Sequence, residues 1–403
     1  MELKNGIPVL YRRIPGATRY ALFLGITAGA AHEPEDKLGI AHLTEHMVFT
    51  TNGAFNSQQL VKMLEWHGID TNASTSFGLV KVFLHGPTQY LSYGAEILLK
   101  MATNHDYTEQ EFQKEQQIVI EELKTYRNLP SEYLSCWILE PNLLHGSKLS
   151  RNILGTEETL QKISLSDVKQ WKSSTFIPEN FILSIAGDID QATACEILNS
   201  TFGNLPVAKT TQTFAKQMAT PKIGAYRETR AGIDQTFVHR GYLAPSMSDE
   251  EYPVALLLNY ILDGGMSSRC FQEMREKRSL GYSSGYKYIK EYGYCYFYLD
   301  GCVPERADEV AEAFNTIIEG LNEISTEELE GMRTLVLAHI DDKLRQEDEV
   351  ARKILDTFAY RSSFTYEKIR QELPKITIEH IQALARKMFT KEFVEARLYP
   401  ENE

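Results

Sequence analysis

The residues His42-Leu43-Thr44-Glu45-His46 combine the side chains best suited to chemistry in this sequence. On a helix, residues four apart lie one above the other with Cβ atoms about 5–6 Å apart. That separation lets two imidazoles bind one tetrahedral zinc ion at ~2.0–2.1 Å. Glu45 would lie on the same face, where it could reach a water molecule on the ion without binding the ion. The pattern therefore predicts a metal centre, and the alternative is an amphipathic helix whose polar face carries two histidines by chance.

A tetrahedral centre needs a further protein ligand, and a predicted helix over 108–128 offers two candidates. Glu115 and Glu122 are two turns apart on one side of this helix. Two carboxylates in an otherwise apolar stretch would be costly to bury without a cation. A solvated acidic face is the alternative, and the spacing alone does not choose between the two glutamates. Thr108 and Glu111 have the spacing of a capping box, which predicts where the helix begins.

Strands and helices alternate irregularly around these candidates. Hydrophobic periodicity predicts two strands within the first 28 residues, helices over 38–50 and 58–67, a strand over 71–85, helices over 88–104, 108–128, 131–144 and 164–175, and a strand over 180–189. This order indicates an α+β fold rather than a strict βαβ alternation.

The pattern restarts in the second half of the chain. A polar, aperiodic stretch over 203–223 contains Pro206 and Pro221 and is typical of a linker. We therefore predict an N-terminal domain over 1–205, a linker over 206–223 and a C-terminal domain over 224–403.

The two halves resemble each other in pattern. Aligning Thr108 with Thr326 brings the apolar positions of two predicted long helices into phase. The same alignment places Tyr260, Asp263 and Gly264 opposite the His-x-x-Glu-His residues. We therefore predict two homologous domains, each a largely antiparallel sheet packed with helices, of which the first carries the metal chemistry.

Composition excludes several classes of protein. The chain has 403 residues and a net charge of −13, which argues against nucleic acid as a partner. No apolar run approaches the ~18–20 residues that cross a bilayer, and the first residues have no signal-peptide pattern. Five cysteines without a CxxC pair are typical of reduced thiols, so we expect a cytoplasmic protein.

Several motifs together resemble the pitrilysin/insulinase family of zinc peptidases, the inverzincins. The stretch GIAHLTEHMVF resembles the family's metal-binding helix, and EQQIVIEEL resembles the helix with the distant glutamate. NAST resembles the family's N-A-x-T strand, and REKRSLGY resembles its Arg…Leu-Gly-Tyr segment. The resemblance covers nearly the whole chain and is closest to small bacterial or archaeal members with a duplication like that of mitochondrial processing peptidase.

The resemblance implies a role for each site residue. His42, His46 and Glu122 would bind one zinc ion per chain, and Glu45 would be the general base that activates water. Glu115 would hydrogen-bond a ligand histidine and fix its tautomer.

Further roles concern the substrate. Arg275 and Tyr282 would hold the substrate backbone and stabilise the oxyanion. Asn72 and Ala73 would lie on an exposed strand edge to which the substrate adds as an extra strand. The family usually has an acidic residue shortly after this motif, where the present chain has Ser76-Phe77-Gly78-Leu79.

The implied activity is a zinc endopeptidase that cleaves peptides or unfolded segments in a chamber. One chain corresponds to one pair of domains, so by analogy we expect a homodimer that encloses the chamber. One alternative is a dedicated processing peptidase that removes a leader from one precursor. The other is a non-catalytic scaffold derived from the family, which would purify without stoichiometric zinc.

Overall fold

The computed structural model describes residues 1–50, 55–208, 218–244 and 249–401 of the chain. Strands form mainly where the sequence alternates or is continuously apolar, because both patterns suit a pleated, partly buried surface. They are β1 Val9–Arg13, β2 Arg19–Ile26, β3 Asp70–Thr75, β4 Val80–Pro87, β5 Phe181–Gly187, β6 Gly224–Arg230, β7 Thr236–Leu243, β8 Ser283–Ile289, β9 Tyr294–Cys302 and β10 Val394–Pro400.

The strands form two sheets with the same topology. The first has the order β1-β5-β2-β4-β3 and the second the order β6-β10-β7-β9-β8. In each sheet the first pair is parallel (β1 with β5, β6 with β10), and the other pairs are antiparallel. The predicted α+β fold with two related, largely antiparallel sheets is therefore confirmed.

Helices cover these sheets. They are α1 Ile40–Met47, α2 Ser57–Glu65, α3 Leu91–Thr103, α4 Glu109–Asn128, α5 Pro130–Tyr133, α6 Glu140–Leu143, α7 Glu157–Lys162, α8 Leu165–Thr175, α9 Gln191–Ser200, α10 Tyr252–Asp263, α11 Ala307–Gly320, α12 Thr326–Lys343, α13 Glu347–Ala359, α14 Tyr366–Glu372 and α15 Ile378–Met388. The segments Leu134–Leu139 and Phe271–Lys277 are π-helical. The capping box that predicted the start of α4 is present, since Thr108 Oγ1 accepts from the N–H of Glu111 at 3.2 Å.

The chain forms two compact units, each assembled from separate segments. The first unit contains Met1–Leu123, Asn152–Ala215 and Asp341–Thr365, and the second contains Lys124–Arg151, Lys216–Ile340 and Tyr366–Glu403. Each unit therefore includes one segment from the other half of the chain. The domain boundaries drawn from the sequence stay a prediction, and residues 209–217 of the linker lie outside the described residues.

Helix α13 is the segment that the second half contributes to the first unit. Val350, Ala351 and Leu355 pack into an apolar cluster on the first sheet. The methyl groups of Leu355 lie so close to β2 that a Cβ on Gly25 would come within 2.9 Å of them. Ser184 of β5 also donates a hydrogen bond to the carbonyl of Ala351 at 2.7 Å. The glycine on β2 is therefore what allows this helix to approach the sheet.

The second unit repeats this arrangement with the helical run from α5 to α6. A Cβ on Gly241 of β7 would come within 2.8 Å of Leu143 and 3.2 Å of Leu139. Ser135 of the same run lies 3.1 Å from Nδ1 of the buried His239 on β7. A glycine on the strand after β1 or β6 thus receives the contributed helix in both units.

One local prediction is wrong. The stretch over 71–85 was expected to be a single strand, but it forms β3 and β4, paired antiparallel around a short turn. The Ser76 hydroxyl donates to the Leu79 carbonyl at 2.8 Å and accepts from the Leu79 N–H at 3.1 Å. Side-chain hydrogen bonds of this kind let serine close a turn without interrupting the alternation of residue types on either side.

Candidate active site

Helix α1 carries the His-x-x-Glu-His residues and begins after a glycine in the left-handed region. Gly39 precedes it with φ +93°, where a Cβ would come within 2.7 Å of the Leu154 carbonyl oxygen. The carboxylate of Glu33 accepts hydrogen bonds from the N–H groups of Gly39 at 3.0 Å and Ala41 at 2.8 Å. A buried carboxylate at this end satisfies free N–H groups and complements the helix dipole. Glu33 therefore anchors α1, a role the sequence analysis missed because the residue lies outside any helix pattern.

The predicted metal-binding side chains converge. The rings of His42 and His46 lie 4.8 Å apart and nearly perpendicular. From α4, Oε2 of Glu122 lies 3.3 Å from Nε2 of His46 and 3.8 Å from Nε2 of His42. One donor atom from each of the three lies within 4.8 Å of the other two. Two ligands of a tetrahedral zinc would be ~3.4 Å apart, so the spacing suits such an ion.

Glu115 lies on the other side of His46. Its Oε2 is 3.4 Å from Nδ1 of His46, so it can accept a hydrogen bond from an Nδ1–H group. With that proton held there, the Nε2 lone pair of His46 points toward Glu122 and is free for a metal. This is the position that the resemblance implied for Glu115.

The charges in the cluster also suit a cation. Burial lowers the pKa of His46, but hydrogen bonds to Glu115 and Glu122 outweigh it and raise the pKa to about 9. Burial, aided by the nearby His46, lowers the pKa of His42 to about 4. Hydrogen bonding to His46 lowers the pKa of Glu122. The carboxylates thus favour positive charge at this point, which a divalent ion would supply.

A further observation supports the fit. Nδ1 of His42 is buried and has no hydrogen-bond partner among the described residues. Nε2 of the same ring is the nitrogen that faces Glu122, at 3.8 Å, and two neutral imidazoles with a carboxylate are donors that suit zinc. The residues present therefore fit a bound divalent ion.

Glu45 lies beside the cluster, only 7% exposed. Its Oε2 accepts a hydrogen bond from the Thr75 hydroxyl at 2.5 Å. Burial raises the pKa of Glu45, and the bond from Thr75 acts in the opposite direction. The resemblance placed Thr75 in a motif, but no local pattern indicated this contact between β3 and α1.

Asn72 and Ala73 lie on β3, the last strand of the first sheet. Asn72 is exposed and Ala73 is half-buried. The Ala73 N–H bonds to the side-chain oxygen of Asn72 at 2.8 Å. The edge position is therefore present, and their contact with a substrate stays a prediction.

Arg275 and Tyr282 belong to the second unit, whereas the cluster belongs to the first. The Arg275 guanidinium lies 4.3 Å from the ring centre of Tyr282 and 4.8 Å from that of Phe271. Tyr282 is 80% exposed, so its hydroxyl is accessible. The structure brings this pair together, and its role toward a substrate stays a prediction.

Comparison with known proteins first identifies the class of the fold. A protease from Helicobacter pylori aligns with a TM-score of 0.91 at 21% identity, covering 99% of this chain and 98% of that one. A peptidase M16 inactive domain from Pseudomonas fluorescens aligns with a TM-score of 0.87 at 16% identity, covering 100% and 97%. At these identities the likeness defines the fold alone, which is that of two-domain peptidases.

The sequence comparison then identifies the family. A family model described as insulinase (peptidase family M16) matches residues 8–157, and one described as the peptidase M16 inactive domain matches residues 162–336. An uncharacterized zinc protease of Bacillus subtilis is 25% identical over 98% of this chain and 97% of its own length. The chain belongs to peptidase family M16, the insulinase family, as the motifs indicated.

Two expectations concern the thiols and the membrane rather than the site. All five cysteines are free. Among the residues that the structure describes, no helix has both the length and the apolar character of a membrane span. The expected cytoplasmic location stays a prediction.

Proposed function

We propose that this protein is a zinc-dependent endopeptidase whose metal ligands are His42, His46 and Glu122. The observation that carries the proposal is the convergence of their donor atoms within 4.8 Å. The ligands come from one turn of α1 and from the distant helix α4, so the grouping requires the tertiary fold. The Bacillus subtilis relative is named a zinc protease, and that name supports the choice of zinc as the ion.

A zinc ion held there would act as a Lewis acid on the peptide carbonyl and lower the pKa of water. Glu45 then has the general-base role: it takes a proton from the attacking water and returns it to the leaving amine. Burial raises its pKa, which makes it a better proton acceptor. Glu115 holds the Nδ1 proton of His46, so that the Nε2 lone pair stays directed at the cluster.

The proposed substrates are peptides or unfolded segments in extended conformation. The open edge at β3 supports this choice, because an extended chain can add to such an edge through its backbone. Arg275 and Tyr282 are proposed to hold the substrate backbone, and the active form is proposed to be a homodimer. Nucleic acid and membrane are not proposed as partners.

Metal content tests the proposal directly. The purified protein should contain about one zinc per chain, measured by mass spectrometry of the metal, and hydrolyse a quenched peptide. His46→Ala should lose both the metal and the activity. His67→Gln is the matched control, since this histidine of the first unit stacks on Tyr93 and donates from Nδ1 to the Met63 carbonyl of α2 rather than contacting the cluster.

Chelation should abolish peptide hydrolysis, and added zinc should restore it. A protein that purifies with far less than stoichiometric zinc and is unaffected by His46→Ala would contradict the proposal. That outcome would favour the non-catalytic scaffold instead.

A further inference from the structure

The hydrogen bond from Thr75 to Glu45 joins the edge strand β3 to the metal-cluster helix α1. The hydroxyl oxygen lies 2.5 Å from Oε2 of Glu45, a short distance typical of an O–H group donating to a carboxylate. Among the described residues, the Thr75 hydroxyl is the group that donates a hydrogen bond to this carboxylate. The bond therefore ties one carboxylate oxygen and leaves the other for proton transfer.

We infer that Thr75 is a positioning residue that holds the Glu45 carboxylate for its work as general base, an inference that rests on the proposed function. A glutamate side chain has several rotatable bonds, so an unanchored carboxylate would occupy several orientations. A β-branched residue in a strand has few χ1 states, so the Thr75 hydroxyl is a fixed donor. Proton transfer requires the base within hydrogen-bond reach of the water, which an anchored oxygen ensures.

The location of Thr75 adds a second consequence. The strand that anchors the base also carries Asn72 and Ala73, beside which an extended substrate is proposed to add. Movement of this strand would therefore shift the base and the substrate together. Small displacements of a catalytic group can lower the rate by ~10²-fold, so a shared support protects the geometry.

Three variants test the inference in one peptide assay. Thr75→Val keeps the shape and strand preference but removes the hydroxyl, Thr75→Ser restores a hydroxyl, and Thr71→Val is the matched control. Thr71 lies on the same strand, and its hydroxyl donates to the Phe83 carbonyl at 3.1 Å. Thr75→Val should lower kcat by ~10- to 100-fold with KM changed less than ~3-fold. Thr75→Ser should recover most of the loss, and Thr71→Val should stay near the wild-type kcat.

Zinc content and thermal unfolding are measured on the same samples. Both should be close to wild type in Thr75→Val, because the hydroxyl donates to Glu45, which is not one of the proposed metal ligands. A loss of zinc or of folded protein that accounts for the fall in rate would overturn the positioning role.

A double variant then tests whether Thr75 acts through Glu45. In Glu45→Asp the carboxylate is one methylene shorter and moves away from the Thr75 hydroxyl, so adding Thr75→Val should change the remaining rate less than ~2-fold. Equal, independent losses would overturn the inference, and so would a wild-type kcat in Thr75→Val. Those outcomes leave the proposed function intact, whereas a wild-type protein that cleaves no peptide would overturn both.

Discussion

The end of α1 in the first unit and the end of α10 in the second present a carboxylate to the last strand of their sheets, but they use it differently. Glu45 accepts a hydrogen bond from a side chain, the Thr75 hydroxyl of β3. Asp263, which the sequence alignment places opposite Glu45, accepts from the backbone N–H of Tyr286 on β8 at 3.1 Å. One carboxylate is beside a metal cluster, and the other is bonded to the strand itself.

The two strand positions correspond. Gly25 of the first sheet and Gly241 of the second occupy equivalent places. Across the intervening strand, the residue before Gly25 is in register with Ala73, and the residue before Gly241 is in register with Tyr286. The Ala73 N–H bonds to the adjacent Asn72 side chain, which an incoming strand could displace. An edge N–H that donates to a half-buried carboxylate is less available to another chain. The same architecture thus leaves one sheet edge open and closes part of the other.

A glycine of β8, Gly285, lies where the Asp263 carboxylate approaches the strand. A Cβ on Gly285 would come within 2.3–2.8 Å of the Asp263 carboxyl group. The corresponding position in β3 is Asn72, which has a full side chain. A glycine on β8 is therefore required by the close approach of Asp263, rather than by an unusual backbone angle.

The comparison is tested most strongly by neutralising the two carboxylates in turn. Glu45→Gln should lower kcat by at least ~10²-fold, because the amide cannot accept the proton. Asp263→Asn should keep kcat within ~3-fold, since its partner is a backbone N–H that an amide oxygen can also accept. Steady-state peptide hydrolysis measures both. Equal losses of kcat in the two variants would contradict a catalytic role for Glu45 and a structural role for Asp263.

The paired glycines should respond alike. Gly25→Ala and Gly241→Ala would each push a methyl group against a leucine of the contributed helix, at 2.9 and 2.8 Å. Overpacking of this kind typically costs about 1–3 kcal/mol, so both variants should unfold at lower denaturant concentration. If only one variant were destabilised, the contributed helices would not be equivalent supports.

A smaller effect is expected at Gly285. Gly285→Ala should displace the Asp263 carboxylate and weaken its bond to the Tyr286 N–H, with a loss of about 1–2 kcal/mol in the free energy of unfolding. In an Asp263→Ala background the same substitution should cost much less, because the clashing group is gone. Denaturant unfolding of the four proteins gives the coupling, and additive losses would contradict the proposed contact.

Much of the site could be predicted, for reasons that differ from residue to residue. Helical spacing alone predicted that His42 and His46 share a face, and burial cost marked Glu115 and Glu122 as candidates. Choosing Glu122 as the ligand required the family resemblance. Glu33 could not be predicted because it lies outside any helix pattern, although it bonds to residues only 6 and 8 positions away. Thr75 could not be predicted because it acts through a contact with an element 30 positions away.

The fold shows the same division. Hydrophobic periodicity predicted the strands of the first sheet, yet it continued through the turn at Ser76 and joined β3 to β4 in error. Nothing in the order of elements predicted that α13 packs on the first sheet and that the α5–α6 run packs on the second.

By itself, the sequence determined the local geometry of this protein: helix and strand periods, the capping of α4 and the pairing of two imidazoles on α1. These features depend on residues within a few positions of one another. Only the tertiary structure decided which carboxylate meets the imidazoles, which helix covers each sheet and which edge N–H donates to Asp263. Such contacts join distant segments, and their geometry follows from packing of the whole unit rather than from any local pattern.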